Sequence, residues 1–587
     1  MENKFYTDER AVQIIISLMK VHGVRKMIAS PGTTNLTLVA SMQQDPFFEM
    51  YSSVDERSAA YMACGMAAES GEPVAITCTG ATASRNYMPG LTEAYYRKLP
   101  VLALTANQGV QKIGNLIAQN IDRRTVPNDI AKMSVQVPAV NSEADVHYCT
   151  LLVNKALLEL RHNGGGPVHI NFSTTYSGNF DVKELPQAAV INRYTLSSQA
   201  LPEITTTGNI AIFIGSHRKF TTEETAAIDS FCDEYNAVCF CDHTSGYHGR
   251  YRYMHALVGT QPAPNTLRNI DLLIHIGEVS GNYNGLGLSA KQVWRVSEDG
   301  ELRDFFGTLR CVFEMPEKHF FSAYAAMGKG VPEKKGEYLD RCLSEYRDVY
   351  SHIPELPFGN IWIAKQMAGK LPAGSVLHLG ILNTLRSWDF FDIPSDVDAY
   401  CNVGGFGIDG IMSTLLGASL ASSDRIFFGI LGDLAFFYDM NSIGNRHVAR
   451  NLRIMLINNG RGTEFTNYGH PGHAFGKEAD PFIAAAGHYG NKSHKLVKHY
   501  AEDLGFKYLS ASSKEEFMNV YEEFITPGQQ PQPMLFEVFT DSKDESDALE
   551  MMHNIRKAPL SVKKLVKSTI KEVVGEQNIR KIRKALK

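Results

Sequence analysis

Residues 426–460 constrain the fold of this chain more than any other stretch. They run from an apolar, strand-like segment through Gly432-Asp433-Leu434, a helical stretch and a second apolar segment to Asn458-Asn459-Gly460. Strand, helix and strand in that order predict two parallel strands joined by a crossover helix. Asp433 and Asn459, 26 positions apart, then end both strands at the carboxyl edge of one sheet, where open α/β sheets bind ligands. A carboxylate and an amide oxygen, with room left for phosphate oxygens, suit a Mg²⁺ or Ca²⁺ ion that holds a diphosphate. Gly-Asp turns and Asn-Asn pairs also end strands in many α/β proteins that bind no metal.

A second signature lies far upstream, in Val54-Asp55-Glu56-Arg57-Ser58-Ala59-Ala60. It follows a β-like run, Phe48–Ser53, and opens a small-residue helix over Ala59–Ala68. An acid at such a junction is favoured by the helix dipole alone. Taken together, the two signatures resemble those of thiamine-diphosphate (ThDP) enzymes, whose metal motif normally reads Gly-Asp-Gly and ends in Asn-Asn. Leu434 departs from that form. The resemblance implies Mg²⁺ ligands at Asp433, Asn459 and the main-chain carbonyl of Arg461, with Gly432, Leu434 and Ala435 as further cofactor contacts. It makes Glu56 the carboxylate that hydrogen-bonds the aminopyrimidine ring and favours its imino tautomer, while the cofactor carries the hard chemistry.

Length and composition agree with an enzyme of this kind. A chain of 587 residues holds about three or four domains. Its 44% hydrophobic and 21% charged residues are those of a globular protein, and a net charge of −5 gives no reason to expect nucleic acid. Nine scattered cysteines without a CxxC pair read as reduced thiols, with Cys239 and Cys241 as core residues of a strand. No signal peptide and no run of the roughly 18 apolar residues of a membrane span is visible, so a cytoplasmic location is expected.

Strand–helix alternation recurs in three blocks, which predicts an α/β protein of three doubly wound parallel sheets. Residues 1–185 form the first, read as the pyrimidine-binding domain. Its helices include Ala11–His22 and Ala83–Arg97, and its strands Lys26–Ser30, Val74–Thr79 and Val101–Thr105. The polar stretch Leu185–Gly208 reads as a linker. It opens a middle region, 186–357, whose α/β block carries few convergent polar groups and reads as a structural spacer, ending in a charged helical connection over Pro332–Pro357. Residues 358–550 carry the metal motif and read as the diphosphate-binding domain, and 551–587 as a basic tail.

Within the ThDP enzymes the chain resembles most the menaquinone-pathway synthases that join a decarboxylated 2-oxoglutarate unit to isochorismate (the MenD family). The matching segments run in order over nearly the whole chain: Ser30-Pro31-Gly32, Asp55 to Ala60, Asn86-Tyr87, Asn402 with Gly407-Ile408-Asp409-Gly410, Gly432-Asp433-Leu434, and Tyr438-Asp439-Met440-Asn441. Gly-Asp-Leu is that family's own variant. The resemblance makes Ile408 the apolar wedge that bends the cofactor and places Gln119, followed by Asp122, at an active-site glutamine. It also implies a homodimer or homotetramer with each site between chains.

Substrate recognition departs from the family pattern. Thr34, Gln108, Asn282-Tyr283 and Val403 stand where the family has cationic residues, and Arg386 alone keeps its place. Charge-assisted hydrogen bonds contribute about 1.5–3 kcal/mol each, so several kcal/mol of polyanion binding is lost. The expectation is an enzyme that does not use isochorismate and 2-oxoglutarate. Thr34 and Gln108 offer hydrogen bonds to a sugar or nucleotide ketosugar, as in cell-surface polysaccharide biosynthesis, and Arg386 holds one carboxylate of a small 2-oxo acid donor. Glu464, which replaces an apolar residue of the family, is a candidate for proton transfer beside His470 and His473. The tail, with 11 Lys/Arg against 2 Glu and an apolar face from Leu560 to Ile570, suggests an anionic membrane surface, a solubilising tail or a helix packed on the dimer. The reading is a ThDP- and Mg²⁺-dependent carboligase acting on a 2-oxo acid donor and a carbonyl acceptor. Its alternatives are a simple 2-oxo acid decarboxylase or acetolactate-type synthase, and a non-catalytic ThDP-fold regulatory protein.

Overall fold

The structure, a computed structural model, describes residues 5–282, 287–328, 334–487 and 493–556. The chain divides into two compact units, residues up to 201 together with 298–314, and residues 202–297 together with 315 onward. Its strands fall into three parallel sheets.

The first sheet comprises β1 (Lys26–Ala29), β2 (Glu49–Ser52), β3 (Val74–Cys78), β4 (Val101–Asn107), β5 (Met133–Val137) and β6 (Val168–Ser173), ordered β2-β1-β3-β4-β6-β5. Strands β3 and β4 are buried along their whole length, as the continuous apolar runs of a sheet covered on both faces require. On one face the helix Arg10–Val21 contributes Ile14, Ile15, Leu18 and Met19 to the core. On the other, the alanine-rich helix Glu56–Ser70 packs Ala59, Ala60 and Ala63 inward. The single helix expected over Ala83–Arg97 is two, Thr82–Asn86 and Met88–Tyr96, because Pro89 restarts the helix in its first turn.

The stretch expected to be a linker carries a strand, β7 (Asn192–Thr195), which is a correction to the sequence reading. The middle sheet also contains β8 (Ile210–Ile214), β9 (Val238–Cys241), β10 (Arg252–Met254), β11 (Ile270–Ile276), β12 (Ala290–Ser297) and β13 (Leu309–Glu314). Five of its strands lie in the second unit, ordered β10-β9-β8-β11-β12. The other two lie in the first unit, where β7 pairs with β13 in parallel. Tyr194 of β7 stacks on Phe313 with centroids 5.2 Å apart, and Arg193 binds Glu159 at 2.7 Å. Polar composition concealed this strand because its contacts are aromatic stacking and ion pairing rather than an apolar alternation.

The third sheet repeats the order of the first. Its strands are β14 (Val376–Leu379), β15 (Asp398–Cys401), β16 (Phe427–Gly432), β17 (Leu452–Asn458), β18 (Lys507–Ala511) and β19 (Met534–Phe539), ordered β15-β14-β16-β17-β19-β18. The charged connection forms a helix over Glu337–Ser351. The tail does not begin at 551: Met551 to His553 complete the helix Ser542–His553, and Arg556 pairs with Glu345 at 2.6 Å and with Asp348. The amphipathic segment beyond it lies outside the described residues, as does Tyr283. No described helix is long and apolar enough to cross a membrane. All nine cysteines are free, and Cys239 and Cys241 are buried in the core.

Candidate functional site

In a sheet of this order the chain leaves in opposite directions from two neighbouring strands, and the crevice beyond their carboxyl ends is the natural ligand site. For the third sheet those strands are β14 and β16. Beyond them lies a cavity of about 320 Å³ whose walls include Leu382 and Asn383 after β14, Gly432 to Ala435 at the end of β16, Asn459 and Arg461 after β17, and Ile408. The residues expected to hold the metal and diphosphate are thus gathered in one place.

Asp433 is buried, and its Oδ1 accepts a hydrogen bond from the Leu434 amide at 2.7 Å while Oδ2 accepts one from Gly460 at 2.6 Å. Burial pushes its pKa up to about 6, against the pull of these backbone donors. An acidic group so placed gains from a cation that would restore its charged form. The two asparagines of the pair have separate tasks. Asn458 turns into the sheet and donates to Glu537 on β19 at 2.7 Å, while Asn459 lines the cavity. A Cβ added at Gly432 would meet nothing within 4 Å, so the strand end opens onto free space. A buried carboxylate, an amide oxygen and an open glycine-floored cradle fit a divalent cation carrying a diphosphate. Groups of three or more His, Cys, Asp or Glu side chains placed to hold a metal are absent among the described residues.

Ile408 reaches the cavity from the loop before helix Ile411–Ala421 and packs on the core of the third sheet. That helix is held by Asp439, whose two oxygens accept from the Ser413 amide and hydroxyl at 2.6 Å. Within the string Tyr438 to Asn441, Asp439 therefore anchors the first turn of the helix that follows Ile408. Sequence reasoning missed Glu545. Buried in helix Ser542–His553, it accepts from the Asn360 amide at 3.0 and 3.1 Å and from the Thr540 hydroxyl at 2.9 Å, and desolvation pushes its pKa up to about 7. Asn360 lines the same cavity. An acid four positions after the N-cap Asp541 looks like ordinary helix chemistry in sequence, which hid this role.

The first unit holds the other expected residues. Glu56 is the first residue of its helix, half-buried, and accepts from the Asn86 amide group at 3.1 Å. Gln119 is exposed, with a left-handed backbone (φ 63°). Thr34 is not available to a substrate, which corrects the sequence reading. It is buried, with its hydroxyl 2.7 Å from that of Thr79 and accepting from the Gly80 amide at 3.1 Å. Gln108 is also engaged, donating to Tyr176 at 2.6 Å and accepting from Lys112 at 2.8 Å.

In the second unit a further cavity of about 350 Å³ shares Glu464 with the first, and Arg386, Asn282, Thr260 and His470 line it. Arg386 does not offer a free guanidinium: it grips Glu464 with two bonds of 2.8 and 3.0 Å. Both carboxylate oxygens of Glu464 are therefore committed, which counts against the free proton carrier expected from sequence. His470 accepts from the Gly472 amide at 2.9 Å through Nδ1, and His473 is exposed.

Comparison with known proteins adds to this geometry. The family model of the thiamine pyrophosphate enzyme, N-terminal TPP binding domain, matches residues 9–129. The 2-succinyl-5-enolpyruvyl-6-hydroxy-3-cyclohexene-1-carboxylate synthase of Bacteroides thetaiotaomicron is 31% identical, covering 93% of this chain and 98% of its own. That of Phocaeicola vulgatus is 30% identical, covering 94% and 99%. Among solved structures, the thiamine diphosphate-dependent 4-hydroxybenzoylformate decarboxylase of Rhodococcus jostii RHA1 aligns with a TM-score of 0.39 at 17% identity, over 90% of this chain and 99% of that one.

Proposed function

The chain belongs to the family of these carboxylate synthases among the thiamine-diphosphate enzymes, and on that premise we propose that it decarboxylates a 2-oxo acid and ligates the acyl fragment to a carbonyl acceptor. The observation that carries this reading is the gathering of Asp433, Asn459, Arg461 and Ile408 around one cavity at the switch point of the third sheet.

Thiamine diphosphate, when bound, supplies the electron sink that lets a 2-oxo acid lose carbon dioxide and keeps the acyl carbon nucleophilic. In this reading the side-chain oxygens of Asp433 and Asn459 and the Arg461 carbonyl would hold Mg²⁺ and, through it, the diphosphate. Ile408, which lines the same cavity, would give the cofactor an apolar support. Glu56 would hydrogen-bond the aminopyrimidine ring, a role that needs cover from water. It is half-buried in the single chain. A homo-oligomer in which another copy supplies that cover follows the family pattern.

The substrate pair is narrower than the family name. A product called 2-succinyl-5-enolpyruvyl-6-hydroxy-3-cyclohexene-1-carboxylate carries several acidic groups, whereas Arg386 is already engaged by Glu464. That ion pair favours a donor and acceptor with fewer carboxylates. A sugar acceptor in polysaccharide biosynthesis has no support from the comparisons and rests on the neutral lining alone, now without Thr34. The relatives' own reaction is the second reading, favoured by identity over almost the full length. Incubating the ThDP- and Mg²⁺-loaded protein with pyruvate or 2-oxoglutarate, with and without isochorismate or a ketosugar, followed by mass spectrometry of products, separates the two. Ligated product from pyruvate supports the first reading, and product from 2-oxoglutarate plus isochorismate the second. No carbon dioxide released from any 2-oxo acid by loaded protein overturns both.

A further inference from the structure

The cavity beside the cofactor cavity has its own chemistry. Arg386 and Glu464 form one of its walls, with side chains only 12% and 17% exposed. A guanidinium fork facing a cavity is the group that binds a carboxylate bidentately. Here the carboxylate comes from the chain itself, and Asn467 adds a longer bond to the same oxygen at 3.4 Å. His553, also on the lining, is held below the ordinary histidine range by burial and by Arg386, so it contributes no counter-charge at neutral pH. Glu550 adds negative charge to the wall. A ligand with a second carboxylate would meet an occupied arginine and a like charge.

Neutral polar groups point the other way. Asn282 is buried to 3% exposure, and its Nδ2 has no partner among the described residues. The Thr260 hydroxyl, on the same cavity, is also buried without a partner. Buried donors left unpaired are costly, and an oxygen-bearing ligand would satisfy them.

We propose that Glu464 is a specificity-determining residue which, by occupying Arg386, excludes dicarboxylates from the second cavity and leaves it to an uncharged, hydroxyl-bearing carbonyl compound held by Asn282 and Thr260. The proposal deepens the reading above and rests on it for the identity of the neighbouring cavity as the cofactor's. No proton moves in this role. Glu464 acts as a resident carboxylate that a substrate carboxylate would have to displace.

The test uses the full chain loaded with ThDP and Mg²⁺, and succinate as a dianion that cannot be decarboxylated. Calorimetric titration is expected to give E464Q a succinate affinity at least about tenfold above that of the unaltered chain. The double variant R386A/E464Q should lose that gain, since the fork is gone. E464I, which frees Arg386 with an apolar side chain, gives a second chance should E464Q fold poorly, and it should gain as E464Q does. Unchanged succinate affinity in both single variants overturns the proposal. So does a gain that persists in R386A/E464Q. Failure of the unaltered chain to take up ThDP, seen as unchanged tryptophan fluorescence, would instead overturn the functional reading while the succinate gain could still be measured.

Discussion

The first and third sheets have the same strand order, yet among the described residues the loops at their switch points are built differently. Beyond β1 and β3 of the first sheet, Thr34 and Thr79 meet hydroxyl to hydroxyl and Gly80 donates to Thr34, so the loops close on each other. Beyond β14 and β16 of the third, the loops part around a cavity of about 320 Å³ with Asp433 at its lip. The middle sheet closes by a third route. Gly215 after β8 and Glu278 beyond β11 run so close that the Gly215 amide reaches the Ile276 carbonyl at 3.0 Å and Glu278 donates to Ser216 at 2.8 Å. Topology therefore supplies a place for a crevice, and the first two or three residues after each strand decide whether it exists.

The sharpest way to break this comparison is to remove the group that the open crevice presents. Asp433→Ala is expected to weaken Mg²⁺-dependent ThDP binding by at least about 100-fold, because the loss of even an outer partner of a metal ligand costs about 10–100-fold. Fluorescence titration with ThDP, with and without Mg²⁺, reads the effect. Near-normal uptake by the variant would show that the diphosphate lies elsewhere.

A smaller effect comes from two glycines at strand ends beside the switch points of the middle and third sheets. A Cβ at Gly215 would fall 2.0 Å from the Glu278 carbonyl oxygen, whereas one at Gly432 would meet nothing within 4 Å. Gly215→Ala is expected to lose about 3 kcal/mol of stability, since a backbone oxygen cannot step aside as a side chain does. Gly432→Ala should unfold at the same denaturant concentration as the unaltered chain but bind ThDP more weakly, its methyl standing in the cradle. Urea unfolding with a binding titration checks both. Equal stability losses at the two sites would mean that the crevices do not differ as described.

Much of this arrangement was legible in the sequence because strand ends are written locally. Gly432-Asp433 and Asn458-Asn459 lie at the ends of apolar runs that nothing but strands explains, and they converge because parallel strands share an edge. The helices at Arg10–Val21 and Glu56–Ser70 were legible for the same reason, each carrying an apolar or small-residue stripe. What was not legible depended on distance. Arg386 and Glu464 are 78 positions apart, and no local pattern pairs them. Thr34 looked like a substrate contact because its partner, Thr79, is 45 positions away on another strand end. Strand β7 was missed because an ion pair and a stacked tyrosine stand where an apolar alternation was sought.

The smallest expected effect tests the backing of the open crevice rather than its lip. Glu545 is fully buried beneath Asn360, with its pKa raised from 4.5 to about 7. The folded protein therefore holds this proton through a range in which the unfolded chain, titrating near 4.5, has released it. Where the folded state binds more protons, stability falls as pH rises, so the cost of burying the charge sets in above pH 4.5 and is complete above about pH 7. Between pH 6 and 7 the loss amounts to about 1 kcal/mol. Glu545→Gln keeps an acceptor for the Asn360 amide and cannot ionise, so it should flatten the stability profile across that window. Its advantage over the unaltered chain should be larger at pH 8 than at pH 5.5. Denaturant midpoints measured at those two values decide the matter, and a profile as steep in the variant as in the unaltered chain would assign the pH dependence to another group.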